Sequence, residues 1–370
     1  MIMRRLLPSL LGVAAILGIV VFVNAGKRPG PVFGVAHESK ERINVSALAV
    51  EEVPIDALTE TAIETLTDIQ QTEIPIRGVG PDTVTIPDLS EMDFDGRDLV
   101  LGAVLAENAS YTRHTITYKS GDLTISGIMN IPKGDGPFPL LVLNHGYIDP
   151  VAYTNGRGLK REQDYLARQG YVVIHSDYRN HAFSDDDPNG SAEAEFRLPY
   201  VEDVINAIFA VRAANLPMVD ASRVGMLGHS MGGGIALSVM VAVPELVDAF
   251  VLFAPVSGYY PDNFQKWTAN RTAIAETVLS RYGDWNENPQ FWAQVSAETY
   301  YGNIVAPVMN HHGTADTDVP IAWSDRGVAA MQAAGKTVTY HVYPNEPHEF
   351  TAAWTTVMER TTMFFDEHVR

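Results

Sequence analysis

The stretch that decides the fold runs Val224-Gly225-Met226-Leu227-Gly228-His229-Ser230-Met231-Gly232-Gly233-Gly234-Ile235. An apolar run leads into it, and the residues from Met231 onward predict a helix. A strand, a sharp turn and a helix form the setting in which Gly-x-Ser-x-Gly is typical of a nucleophile elbow. Ser230 would then occupy a strained turn with its hydroxyl clear of the sheet. We expect Gly228 and Gly232 to be required there, because larger side chains would collide with neighbouring backbone.

The composition describes an acidic globular protein. Of 370 residues, 46% are hydrophobic and 19% are charged, which fits a chain with a large core. The formal net charge of −19 argues against nucleic acid as a partner, because binding to phosphates needs clustered Lys and Arg. The sequence has no cysteine, which excludes disulfides, thiolate metal ligands and a cysteine nucleophile. We expect a small-molecule or peptide substrate and no cofactor.

The first 25 residues predict an export signal. Arg4 and Arg5 precede an apolar run at residues 6–23, and Val23-Asn24-Ala25 resembles a small-residue cleavage site. The length of this run is borderline for spanning a bilayer, so a cleaved signal peptide and a retained anchor both stay open. We therefore expect an extracytoplasmic protein that is either secreted or tethered to a membrane through residues 6–23.

Residues 26–110 are predicted to be a tether followed by an N-terminal extension that packs on the main domain. The first part is rich in Gly, Pro and charged residues, as linkers are. Three prolines then break the chain into loops. The apolar stretch Asp98–Leu105 fits either a strand or a short helix.

From residue 111 to residue 370 the pattern becomes regular. A hairpin around Ser120-Gly121-Asp122 is followed by apolar strands that alternate with helices. Such alternation predicts a mostly parallel sheet with helices on both faces, and the antiparallel hairpin before it fits the α/β-hydrolase architecture. Residues 257–302 interrupt the alternation and predict an insertion above the strand ends.

An acid and a base follow Ser230 in the order expected for this fold. Asp316 comes just after one strand end, and His348 lies on a loop after the last strand. In the serine-hydrolase mechanism, His348 Nε2 would take the proton of Ser230 and later protonate the leaving group, while Asp316 would accept a hydrogen bond from Nδ1. Asp318 stays an alternative for the acid.

The oxyanion hole requires two donors aimed at the developing negative oxygen. One is expected to be the backbone N–H of Met231, at the start of the helix after Ser230. The other should come from the loop at residues 144–150, where Tyr147 could donate through its backbone N–H or its phenol.

The neighbouring histidines are predicted to be structural. His311 and His312 end the strand before Asp316 and should support the acid loop, and His229 should pack behind the serine. A metal site would need further ligands that the sequence does not supply, so we expect none.

Aromatic residues of the insertion have two interpretations. They could line an apolar or aromatic acyl pocket, or they could form a small core of the insertion itself. These residues are Tyr259, Tyr260, Phe264, Trp267, Trp285, Phe291 and Trp292.

Taken together, these motifs resemble the catalytic domain of the prolyl oligopeptidase (S9) family over about residues 112–370. The segments that carry the resemblance are Asn144-His145-Gly146-Tyr147, Asp177-Tyr178-Arg179, Gly228-His229-Ser230-Met231-Gly232-Gly233, His312-Gly313-Thr314-Ala315-Asp316 and Pro347-His348-Glu349-Phe350. The resemblance implies a serine peptidase in which a tyrosine hydroxyl, here that of Tyr147, helps to form the oxyanion hole.

The sequence departs from that family at three points. Many members have an aromatic residue after the serine, where this chain has Met231, and the usual Arg-Gly-Ser-Gly is Arg179-Asn180-His181-Ala182 here. Residues 26–110 are also too few for the family's β-propeller, so we expect none.

The motifs favour an exported serine hydrolase, most like an S9-type peptidase. A carboxylesterase or another small-molecule acylhydrolase is the alternative, because ester and amide hydrolysis use the same triad and Met231 is common among esterases. A remote alternative is a catalytically inactive hydrolase fold that acts as a binding module.

Overall fold

The computed structural model describes residues 85–190 and 192–370. The predicted signal or anchor at residues 1–25, and most of the predicted tether and extension, lie outside the described residues. No helix within the described ranges combines the length and the apolar character that a membrane span requires.

The described chain forms one nine-stranded sheet in the order β1-β2-β3-β5-β4-β6-β7-β8-β9. The strands are β1 (Arg97–Glu107), β2 (Tyr111–Ser120), β3 (Leu123–Pro132), β4 (Phe138–Asn144), β5 (Val172–Ser176), β6 (Val219–His229), β7 (Ala249–Phe253), β8 (Val308–Gly313) and β9 (Val338–Tyr343). Pairing is antiparallel from β1 to β5 across β2 and β3, and parallel from β5 to β9. The predicted hairpin and the mostly parallel sheet are both confirmed.

Helices cover both faces of this sheet. They are α1 (Ile86–Glu91), α2 (Lys160–Arg168), α3 (Leu198–Ala214), α4 (Met231–Ala242), α5 (Tyr260–Asn263), α6 (Thr272–Tyr282), α7 (Pro289–Gln294), α8 (Ile321–Ala333) and α9 (Trp354–His368), with 3₁₀ turns at Pro150–Ala152 and Ala297–Asn303 and a π-helical turn at Phe264–Thr268.

Alternation along the central strands divides the core into two layers. On β4, Leu140 and Val142 join the layer that includes residues of α1, α3 and α4, whereas Leu141 and Leu143 join the layer with α2 and α9. A strand buried on both faces reads as a continuous apolar run, which is why these segments were identifiable from the sequence.

The apolar stretch Asp98–Leu105, whose sequence fits either a strand or a short helix, belongs to strand β1. It pairs with β2 at the edge of the sheet, and α1 before it buries Ile86 and Leu89 in the first core layer. The described part of residues 26–110 therefore buries residues of α1 in the first core layer and extends the sheet by one strand.

The parallel strands bring their carboxyl ends to one edge of the sheet. His229 at the end of β6 pairs with Phe253 of β7, Phe253 pairs with His311 of β8, and Gly313 of β8 pairs with Tyr343 of β9. The loops after β6, β8 and β9 therefore converge, as ligand-binding loops do in open α/β sheets.

Candidate active site

Ser230 occupies the sharp turn between β6 and α4. Its backbone has φ 56° and ψ −119°, a strained conformation for a residue with a side chain. A Cβ on Gly228 would lie 2.2 Å from the carbonyl oxygen of Gly232, and a Cβ on Gly232 would lie 2.0 Å from that of Asn144. Both glycines are thus sterically required, and the predicted elbow geometry is present.

The loops after β8 and β9 bring an acid and an imidazole together. His348 Nδ1 lies 2.7 Å from Asp316 Oδ2 and donates to it, while Asp316 Oδ1 accepts from the backbone N–H groups of Asp318 and Val319, each at 2.8 Å. Asp318 is exposed and donates its backbone N–H to Asp316. The carboxylate that binds His348 is therefore that of Asp316. A backbone bond of 3.0 Å from Ala315 to the carbonyl of Glu346 ties the two loops together.

A buried histidine contacts the same oxygen of Asp316 as His348 does. His312 Nε2 is 3.2 Å from Asp316 Oδ2, and its Nδ1 is 2.7 Å from the hydroxyl of Ser324. Burial alone would raise the pKa of Asp316, but hydrogen bonds from His312, His348 and the Val319 N–H outweigh it and hold that pKa well below its usual range. Asp316 is therefore a stable anion. His312 contacts the acid loop at Asp316 and at the carbonyl oxygen of Val319, whereas His311 binds the hydroxyl of Tyr343.

His229 packs against the imidazole of His348. The ring centroids are 4.4 Å apart, and His229 Nε2 donates to the backbone oxygen of His348 at 3.2 Å. Burial, together with the charge of His348, lowers the pKa of His229 to about 3, so this ring is neutral at pH 7. A neutral ring can brace His348 without repelling its protonated form.

Candidate oxyanion donors border the serine. Met231 is the first residue of α4, where a backbone N–H has no acceptor within its own helix. The loop after β4 approaches from the other side, since a Cβ on Gly146 would lie 3.2 Å from Ser230 Cβ. Tyr147 follows on this loop with 44% of its surface exposed.

These groups share one cavity of about 360 Å³. Its lining includes Ser230, Met231, His348, Tyr147, Val256 and Trp267, together with the charged residues Arg197, Arg271, Asp318 and Glu349. The predicted serine, base and oxyanion donors therefore face the same space, with Asp316 behind the base.

The two arginines were not foreseen from the sequence. Their guanidinium carbons lie 5.5 Å (Arg197) and 5.0 Å (Arg271) from the ring centroid of Tyr147. Glu193 forms an ion pair with Arg271 and lies 3.8 Å from Arg197. Arg197 immediately precedes α3 and Arg271 belongs to the insertion, so no motif or periodicity connects them.

Most aromatic residues of the insertion form its own core. Phe291 stacks on Tyr282 at 4.2 Å, and Trp292 packs edge-on against Phe196 and Phe264. Trp267 is the exception that lines the catalytic cavity. The second interpretation of these aromatics therefore holds for the greater part of the set.

Within the described residues, the ligand atoms of Asp316, Asp318 and His348 lie within 4.8 Å of one another, close enough to share a cation. The Nδ1 of His348 and the Oδ2 of Asp316 are already hydrogen bonded, and a metal ion would replace that bond. The donor set therefore fits an acid–base pair better than a resident metal.

The model of the prolyl oligopeptidase family matches residues 157–370. The chain belongs to this family. Dipeptidyl aminopeptidase BIII of Pseudoxanthomonas mexicana is 28% identical over 228 residues, covering 60% of this chain and 32% of that protein. Esterase EstD of Thermotoga maritima is 30% identical over 146 residues, covering 38% of this chain and 33% of that protein. This family member thus spans about a third of the length of these curated relatives.

Solved structures confirm the α/β-hydrolase fold of this prolyl oligopeptidase family member. Acetyl xylan esterase 1 from a Thermoanaerobacterium species superposes with a TM-score of 0.58 at 20% identity, covering 76% of this chain and 90% of that one. The acylaminoacyl peptidase of Pyrococcus horikoshii gives a TM-score of 0.56 at 20% identity, covering 70% and 42%. The curated proteins similar to this family member include both peptidases and esterases.

Proposed function

We propose that the protein is an exported serine peptidase in which Ser230, His348 and Asp316 form the catalytic triad. The observation that carries this proposal is the 2.7 Å hydrogen bond between His348 Nδ1 and Asp316, behind a cavity that both His348 and Ser230 line. Export is supported by the basic and apolar pattern of residues 1–25.

The proposed reaction passes through an acyl-enzyme. His348 Nε2 takes the hydroxyl proton of Ser230 as the serine oxygen attacks the substrate carbonyl, and Asp316 stabilises the imidazolium that forms. The tetrahedral oxyanion is bound by the backbone N–H of Met231 and by Tyr147. Collapse breaks the bond to the leaving group, which receives the proton from His348. Water then releases the acid by the same steps.

Cleavage of a peptide-like amide is the first candidate for the bond. The family model and the similarity to a dipeptidyl aminopeptidase support it. Amide hydrolysis makes a strong demand on His348, because an amine leaves only after it is protonated.

Ester hydrolysis is the second candidate. The similarity to a curated esterase and the aliphatic Met231 after the serine favour it. The chain would then act on small-molecule esters with the same nucleophile, base and oxyanion donors.

Labelling with a fluorophosphonate tests the nucleophile. We expect the native protein to take up the label at Ser230 and the Ser230→Ala variant to take up none. Equal labelling of both proteins would remove Ser230 from the mechanism, and no labelling of either would favour the inactive binding module.

Matched substrates test the bond. Aryl esters and aminoacyl or prolyl anilides of the same acyl groups are compared on purified protein. Turnover of the anilides supports the peptidase, whereas turnover of esters alone rules it out in favour of the esterase.

Expression with and without residues 1–25 tests export. We expect the full chain to be extracytoplasmic and the truncated chain to stay inside the cell. Retention of the full chain in the cytoplasm would contradict this part of the proposal.

A further inference from the structure

Two guanidinium groups give the cavity a positive wall in a strongly acidic protein. Arg197 and Arg271 are the arginines among the described residues that line it, although the chain carries a net charge of −19. The field of such a chain disfavours anionic ligands at a distance, and a pair of cations inside a concave site reverses that preference locally. The guanidinium group also matches a carboxylate in shape, through two parallel N–H donors.

The two arginines share a single carboxylate. Glu193 pairs closely with Arg271 and also accepts from the hydroxyl of Thr268 at 3.3 Å. Its distance of 3.8 Å from Arg197 is beyond hydrogen-bond range. One negative charge therefore offsets two positive charges, and the wall keeps an excess of positive charge.

Arg197 presents a guanidinium group to the cavity. Its side chain is only 16% exposed, lies 3.8 Å from Glu193 and packs beside the ring of Tyr147. A ligand oxygen entering the cavity would accept a charge-assisted hydrogen bond from this guanidinium.

The charged residues of the cavity also separate by side. Glu349 directly follows His348, and the backbone of Asp318 binds Asp316, so both exposed carboxylates border the base. Since the base protonates the leaving group, the leaving group lies on that negative side. The arginines contact Tyr147, on the side of the proposed oxyanion donors.

A small adjoining pocket marks the acyl side as well. It has a volume of about 40 Å³, and Met231, Val256 and Arg197 line both this pocket and the main cavity. Arg197 and the proposed oxyanion donor Met231 therefore both line the border between the two spaces.

We propose that Arg197 and Arg271 select substrates whose acyl group carries a carboxylate, as in monoesters and monoamides of short dicarboxylic acids. The substrate carboxylate accepts hydrogen bonds from the guanidinium of Arg197, and Arg271 adds its charge. This inference rests on the proposed function, because the position of the base defines which side of the cavity receives the acyl group.

A matched pair of esters tests the inference. An aryl hemiglutarate is compared with the same aryl ester of monomethyl glutarate, which differs only in a capped carboxylate. We expect kcat/KM to favour the free acid about tenfold or more, the range of a charge-assisted hydrogen-bond pair, and the preference to fall with added salt. Equal rates, or a preference for the capped ester, would overturn the inference.

Variants test whether the two arginines cause the preference for the free acid over the capped ester. Arg197→Gln and Arg271→Gln should each bring the ratio of rates close to one, and Arg197→Lys, which keeps the charge, should retain more of it than Arg197→Gln. Arg281→Gln is the matched control, because Arg281 is exposed on α6 and packs on Tyr282 outside the cavity lining. An unchanged ratio in both glutamine variants would assign the preference elsewhere and reject the inference.

Binding to Ser230→Ala separates this inference from the proposed function. This variant cannot form the acyl-enzyme, so calorimetry measures the affinity of both intact esters without turnover. Tighter binding of the free acid that Arg197→Gln abolishes supports the inference even if the native protein hydrolyses neither ester. Equal affinity for the two esters counts against it even if both are hydrolysed.

Discussion

The two walls of the cavity are built in different ways. On one side, Asp316 and His348 stand at the ends of parallel strands, and both oxygens of Asp316 accept hydrogen bonds. On the other side, Tyr147, Arg197 and Arg271 extend from loops and from the insertion, with ring contacts and a shared Glu193 between them. The first wall fixes geometry to a few tenths of an ångström, as bond cleavage requires. The second can change its side chains without disturbing the first.

Replacing the proposed nucleophile should have the largest effect, because it should abolish turnover without changing ligand binding to the arginine wall. Ser230→Ala is expected to lower kcat on the order of 10⁶-fold, the effect known for removal of a catalytic serine, while leaving the binding of carboxylate ligands intact. Steady-state kinetics and calorimetry on the same preparation measure both. Ser280→Ala, on the exposed face of α6, is the control and should change neither. A Ser230→Ala enzyme that keeps its turnover would contradict the proposed mechanism.

The next largest difference in kcat is expected between variants of two neighbouring carboxylates, Asp316 and Asp318. Asp316→Asn should lower kcat about 10⁴-fold, because the amide cannot hold the correct tautomer of His348 or stabilise its imidazolium. Asp318→Asn should leave kcat nearly unchanged, because Asp318 contributes its backbone N–H to Asp316. Kinetics with a neutral ester measure both variants. The reverse order of effects would make Asp318 the acid.

Tyr147 links the two walls, and its hydroxyl can be removed alone. Tyr147→Phe keeps the ring on which both arginines pack and removes the hydrogen bond between the hydroxyl and Arg271. If the hydroxyl binds the oxyanion, as the family resemblance implies, kcat should fall about 10²–10³-fold with little change in KM. An unchanged kcat would instead assign the donor to the backbone N–H of residue 147.

The smallest expected effect concerns the pH dependence of stability. The pKa of Asp316 is depressed in the folded protein, so its contribution to stability is complete above the carboxyl's ordinary pKa and is lost as the pH falls through the lower folded value. His312→Leu removes one of the hydrogen bonds that depress this pKa. We expect its acid-unfolding midpoint to move to higher pH, measured by circular dichroism.

His312→Gln serves as the control for that change. A glutamine amide can still donate to Asp316, so this variant should unfold at a pH nearer to that of the native protein. If both variants unfold in acid at the native pH, His312 does not set the pKa of Asp316.

The fold and the base-side wall were predictable because short-range patterns determine them. Strand β7, for example, is apolar and buried at every residue, as strands inside a parallel sheet are, and the predicted apolar strands depend on that pattern. Strand ends then place Asp316 and His348 by a general rule of open α/β sheets.

The remaining features depend on contacts that no local pattern records. Strand β1 could not be distinguished from a helix because it lies at the sheet edge, where Val100 and Val104 are apolar and yet 55% exposed. The burial of its residues alternates at first, but the sequence is apolar on both faces and shows no matching alternation. The arginine wall depends on a side chain before α3 and another in the insertion meeting over Tyr147. Only the three-dimensional path of the chain creates that meeting.

The order of the strands also determines when the protein can begin to work. Ser230 lies in the turn after β6, but its base follows β9, which pairs only with β8 at the edge of the sheet. Chains emerge from the ribosome amino end first. In the proposed mechanism, a nascent chain that has already folded around Ser230 therefore still lacks His348, its base. Hydrolysis by this mechanism starts only after the last strand has been synthesised and has docked, so the order of synthesis would delay activity during production.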